Sequence, residues 1–147
     1  MARPALVLDA SVGVKWFSPQ DEQALKQALA IRNAHVSEQI LVIVPDLFYY
    51  EVTNALIQKK FFPTGIVRRA GSSLYDLGLS TVNLNDTLLD NAIRISRQSA
   101  ITVYDAIYAA VAVEQDSPLV TANPRHQSSG LACRVISVEE WQQQTNN

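Results

Sequence analysis

One cysteine, Cys133, is all that the chain carries, so no internal disulfide can staple it and a disulfide-built scaffold is excluded. Long hydrophobic runs are missing as well. None approaches the ~18 residues of a membrane helix, and the N-terminus lacks the basic stretch and long apolar segment of a signal peptide. The cytoplasm is therefore the expected compartment. Neither sign of charge dominates: 12 Lys and Arg against 14 Asp and Glu leave a formal net charge of −2. That balance argues against wholesale coating of nucleic acid, though a local basic patch beside an acidic site is still allowed. Glycine and proline are sparse, at 5 and 6 residues, which excludes a low-complexity chain. Neither a P-loop nor a G-x-G-x-x-G fingerprint occurs, which argues against the common nucleotide-binding folds. His35 and His126 lack metal-ligand spacing and read as surface residues, and Cys133 reads as a small core residue.

What is present is 48% hydrophobic sequence over 147 residues, enough for one domain spanning 1–147 with a single core. It comes in short blocks that alternate in kind. Leu6 to Leu8, "ILVIV" (40–44, stopped by Pro45), "LSTVNL", "PLVTA" and "CRVIS" read as strands. Helical patterns lie between them. One opens with Ser18 as N-cap and Pro19 at the first position, ahead of Leu25, Ala28, Leu29 and Arg32. Another runs from Asp46 to Lys60 on a Phe48, Val52, Ala55 and Leu56 stripe. A third spans 64–77 and ends at Gly78, and a fourth starts at Asn85 or Asp86. "YDAIYAAVAVEQ" should be a buried helix, and Val138 to Gln144 a final one. The alternation predicts an α/β fold, three layers deep, around a mostly parallel sheet. Sites in such sheets lie beyond the carboxyl ends of the strands.

Three carboxylates sit against apolar sequence rather than in charged runs. Asp9 directly follows the first strand, Glu51 lies within "FYYEVTNAL", and Asp105 starts the buried helix. Asn54 falls three positions after Glu51, on the same helix face. Burying an unpaired carboxylate is costly, so each needs donors, a cation or a metal. Each also has an ordinary explanation. Asp9 could cap a short helix near Ser11, Asp105 could favour a helix N-terminus, and Glu51 could stand beside a core stripe.

Taken together and in order, "VLDASV", "PDLFYYEVTNAL", "YDAIYAAVA" and "LVTANPRH" resemble the spaced signature of PIN-domain ribonucleases. The nearest type resembles the VapC toxins of toxin–antitoxin pairs, and the resemblance covers essentially the whole chain. It implies that Asp9, Glu51 and Asp105 bind Mg²⁺ or Mn²⁺ for RNA phosphodiester hydrolysis, with Asn54 and Thr121 in supporting positions. It also implies an antitoxin partner and a homodimer, for which "FYYEV" and "KKFFPTG" are candidate surfaces. Asn123 departs from the pattern, because the family usually has an acid there. An amide offers an oxygen but no charge, so weaker occupancy of any second metal position is expected. A catalytically weakened RNA- or protein-binding module on the same scaffold is the alternative. Lys59, Lys60, Arg68 and Arg69, with Arg94, Arg97 and Arg125, could form a basic edge for RNA phosphates or an acidic partner segment.

Overall fold

The computed structural model describes residues 2–18, 23–124 and 133–143. Five strands form one parallel sheet: β1 (Ala5–Leu8), β2 (Leu41–Pro45), β3 (Ser80–Val82), β4 (Leu119–Thr121) and β5 (Val135–Ser137). Their order across the sheet is β3-β2-β1-β4-β5. The helices are α1 (Ala10–Gly13), α2 (Leu25–Val36), α3 (Leu47–Gln58), α4 (Thr64–Asp76), α5 (Asp86–Ser99) and α6 (Val103–Glu114), with a 3-10 turn at Val14–Trp16. Parallel strands require crossovers, and right-handed crossovers decide the layering. The chain steps outward from β1 to β2 to β3 through α2, α3 and α4. It then returns past β1 to β4 through α5 and α6, which therefore cover the opposite face. The result is the expected three-layer α/β/α arrangement.

Burial on both faces explains the apolar strands. Val7, Leu8, Val42, Val44, Leu119 and Val120 have no exposed surface at all. Helix ends follow their cap chemistry. Asn85 Oδ1 accepts the Leu88 N–H at 2.9 Å to start α5, and Thr102 Oγ1 accepts the Asp105 N–H at 3.1 Å to start α6. Gly78, at φ +64°, turns the chain out of α4, a backbone conformation that only glycine adopts without strain. Pro45 does not stop β2 but ends it as a paired member opposite Val82. The Asp46 N–H donates to Val82 O, so the nitrogen of residue 45 faces away from β3 and its missing proton costs that ladder nothing.

Three expectations are corrected. Ser18 does not cap α2, which begins at Leu25. Trp16 is drawn inside, its indole donating to Ala28 O at 2.8 Å, and Ser18 follows it to full burial. Pro19, Asp21 and Glu22 lie outside the described residues. His35 is not a surface residue. The short link after α2 folds the helix end onto β2, where Nδ1 accepts the Val42 N–H at 3.2 Å, leaving Nε2 to donate to Leu77 O at 3.1 Å. Those two bonds select the Nε2-protonated tautomer. Finally, Val138 to Gln143 is not helical. The Val138 N–H still belongs to the sheet ladder, donating to Thr121 O, and Val138 is buried, so only a turn closes after it.

Candidate functional site

The strand order reverses at β1: its two neighbours are β2, which leads one way along the chain, and β4, which is reached only on the return. In an open parallel sheet, the crevice outside the carboxyl ends at such a reversal is where ligands bind. Register places Leu8 opposite Val120, and the Asp9 N–H donates to Val120 O at 3.0 Å. Asp9 and Thr121 therefore leave the sheet side by side, which is why one acid and the "TAN" segment share a site despite their separation in sequence.

Asp9 is 8% exposed and does two jobs. It is the N-cap of α1, its Oδ2 accepting the Ser11 N–H at 3.1 Å. The same oxygen accepts the Ser11 hydroxyl and, at 3.3 Å, the Thr121 hydroxyl. Each hydroxyl in turn accepts a main-chain N–H from the end of β4, Ala122 to Ser11 Oγ and Asn123 to Thr121 Oγ1, both at 3.0 Å. Two short relays thus run from the β4 exit to one oxygen of Asp9. The ordinary capping role expected of Asp9 is present.

Glu51 is reached from the next layer. The α3 stripe of Phe48, Val52 and Leu56 is buried against the core, which leaves Glu51 half-buried beside it. Its Oε1 accepts the Tyr108 hydroxyl at 2.6 Å. The carboxyl's pKa is raised above 4.5, first by burial and then by the charges of Asp9 and Asp105, with the Tyr108 hydrogen bond opposing. Asp105 sits in the first turn of α6, half-buried, where the helix dipole favours its charge.

α1 and α3 approach closely, and Gly13 permits it. A Cβ there would stand 2.6 Å from Phe48 Cζ and 3.1 Å from Val52 Cγ2. Of the supporting residues, Thr121 is fully buried on Asp9, whereas the side chains of Asn54 and Asn123 are exposed. Asn123 is tied in through its main-chain N–H. Among the described residues, no three His, Cys, Asp or Glu side chains are grouped as an ion-binding set.

Two members escaped sequence reasoning. Ser11 was visible only as a neighbour of a possible cap, and Tyr108 only as part of an apolar helix. The usable signals were the two-residue spacing from Asp9 and the three-residue, same-face spacing from Asp105. Lys60, Arg68 and Arg69 are exposed around the α3–α4 turn, while Arg94 is paired with Asp90 at 2.8 Å. Cys133 is half-buried against the core, and burial pushes its thiol pKa up. Arg125 and His126 lie outside the described residues. An open cleft of about 560 Å³, lined by Arg3, His35, Glu38, Asp76 and Gly78, lies at the opposite, amino end of the strands and holds none of the three acids.

Solved structures share this fold at low identity. A toxin–antitoxin complex from Klebsiella pneumoniae superposes with a TM-score of 0.68 and 16% identity, covering 92% of this chain and 99% of that one. FitAcB from Neisseria gonorrhoeae gives 0.70 and 14%, over 92% and 99%. The sarcin–ricin-loop-cleaving toxin VapC20 of Mycobacterium tuberculosis gives 0.64 and 13%, over 86% and 96%. No curated protein matches the sequence significantly. The model of one family, the PIN domain, matches residues 6–129, which is most of the sequence. The chain belongs to the PIN domain family.

Proposed function

We propose that this protein is a metal-dependent endoribonuclease that hydrolyses RNA phosphodiester bonds and serves as the toxin of a toxin–antitoxin pair. What supports this reading is Asp9 at the strand-order reversal, buried under two hydroxyls, together with a Glu51 carboxyl whose pKa is raised first by burial and then by the charges of Asp9 and Asp105. A cation would offset both effects. The donor set is all oxygen, which suits Mg²⁺ or Mn²⁺. Three carboxylates need not enclose the ion, because magnesium keeps several waters and is commonly held by one or two carboxylates together with substrate phosphates. Asp9, Glu51 and Asp105 would hold it, with Thr121, Asn54 and Asn123 in support. When bound, the ion lowers the pKa of an attacking water and stabilises charge on the scissile phosphate.

The chain's own residues supply the rest. Ser11 and Thr121 hold Asp9 in one orientation, and Tyr108 does the same for Glu51. Lys60, Arg68 and Arg69 stand where they could engage RNA phosphates or an acidic partner segment. Asn123 offers an amide oxygen without charge, so a second ion would be held more weakly than the first. The fold shared with a toxin–antitoxin complex and with a sarcin–ricin-loop-cleaving toxin supports the antitoxin partner and the RNA substrate. A homodimer would use the exposed Tyr50 and Phe61, in the regions that the sequence nominated. No described helix is long and apolar enough to cross a membrane; the cytoplasm is the compartment we assign.

Purified protein incubated with structured and unstructured RNAs in Mg²⁺, Mn²⁺ or EDTA tests the reading. Cleavage should require the metal and disappear in Asp9→Asn. Equal cleavage by wild type and variant would point to a contaminant and sink the assignment. Metal-independent RNA binding without cleavage would instead favour the non-catalytic module, with Asn123 marking the loss.

A further inference from the structure

Tyr108 is the bulkiest fully buried side chain, 1% exposed, on a helix otherwise faced with alanines at 106, 109, 110 and 112. Those small residues let α6 lie against β1, β2 and β4, and the ring at 108 fills the remaining space. Phenylalanine would fill it as well, without the cost of burying a hydroxyl. The hydroxyl is used: it donates to Glu51 Oε1 at 2.6 Å, bridging α6 to α3.

We infer that Tyr108 is a positioning residue of the acidic site, its hydroxyl aiming the Glu51 carboxylate. That one bond links α3 to α6, two of the elements that carry the acids. Tyr108 touches neither the ion nor RNA and acts through Glu51. The inference rests on reading the site as a cation site.

The test uses the full chain as wild type, Tyr108→Phe, Glu51→Ala and the double variant, titrated with Mn²⁺ by calorimetry in the absence of RNA. Tyr108→Phe should keep the wild-type circular dichroism and lose Mn²⁺ affinity about tenfold or more, the range for groups that orient a metal ligand. In RNA cleavage, kcat should fall while KM holds. In the Glu51→Ala background, Tyr108→Phe should add no further loss, because no carboxylate remains to be aimed. Unchanged Mn²⁺ affinity in Tyr108→Phe, or an equal additional loss in both backgrounds, overturns the inference. If Tyr108→Phe does not fold, proton NMR of the wild type decides. The phenolic proton should exchange slowly with water and shift in Glu51→Gln; a signal indifferent to Glu51 overturns the inference. Wild type that binds no Mn²⁺ overturns the cation site itself, while the NMR comparison still reports on the hydroxyl.

Discussion

Glu51 shows how a site residue strains the fold that holds it. Its carboxyl pKa is raised, chiefly by burial and then by Asp9 and Asp105, so the native state binds its proton more tightly than the unfolded chain does. The native state holds more protons, and stability must therefore fall as pH rises from about 4.5 through the raised value. Glu51→Gln, which keeps an oxygen for Tyr108, removes that dependence. In EDTA, the variant's Tm should match wild type near pH 4 and exceed it by roughly 1–3 °C at neutral pH, a modest gain because Glu51 is only half-buried. A Tm difference that does not change with pH would mean that Glu51 is not strained by its charge. Asp9, Glu51 and Asp105 were legible one by one, as acids in apolar surroundings. Thr121 was reached only through the family resemblance, and its pairing with Ser11 not at all, because the two meet only when β1 and β4 pair.

At the scale of elements, the site depends on how closely α1 can lie on α3. Phe48 is fully buried, with its ring centroid 6.2 Å from that of Trp16 and 5.8 Å from that of Tyr49, so it has little room to retreat from a methyl group at position 13. Gly13→Ala should cost about 1–3 kcal/mol through overpacking, lowering the Tm by roughly 3–10 °C, and should depress activity by separating Asp9 from Glu51. An unchanged Tm would show that α1 and α3 do not pack this tightly. Nothing in "ASVGVKW" announced that contact. The caps, by contrast, were plain: Asn85 begins α5 and Gly78 closes α4, because those roles are settled within one turn of the chain. The stretch from Val138 closes in a turn instead of a helix, with its first N–H held to the sheet by Thr121 O, a partner distant in sequence.

For the whole molecule, an ion held by acids from the β1–α1 junction, α3 and α6 would bind only the folded state. Mn²⁺ at about 100 times its Kd should then add about 2.7 kcal/mol, raising the Tm by roughly 5–10 °C in wild type and much less in Asp9→Asn. Asn123→Asp should enlarge the shift by restoring a fourth charge at the end of β4. If it shrinks the shift, position 123 does not face the ion. Thermal melts with and without Mn²⁺ measure both.

The amino-acid sequence by itself determined the parallel α/β architecture, since continuous apolar strands alternating with helical stripes allow little else. It also nominated the three acids, because a carboxylate amid apolar residues must be used or paired. Tertiary structure alone decided which hydroxyls hold them. It turned His35 inward onto two backbone groups, and it set Asn123 beside Asp9 through a main-chain N–H on Thr121. The Ser11–Thr121, Glu51–Tyr108 and His35–Leu77 contacts join positions far apart in the chain, and no local periodicity records which of them the fold brings together.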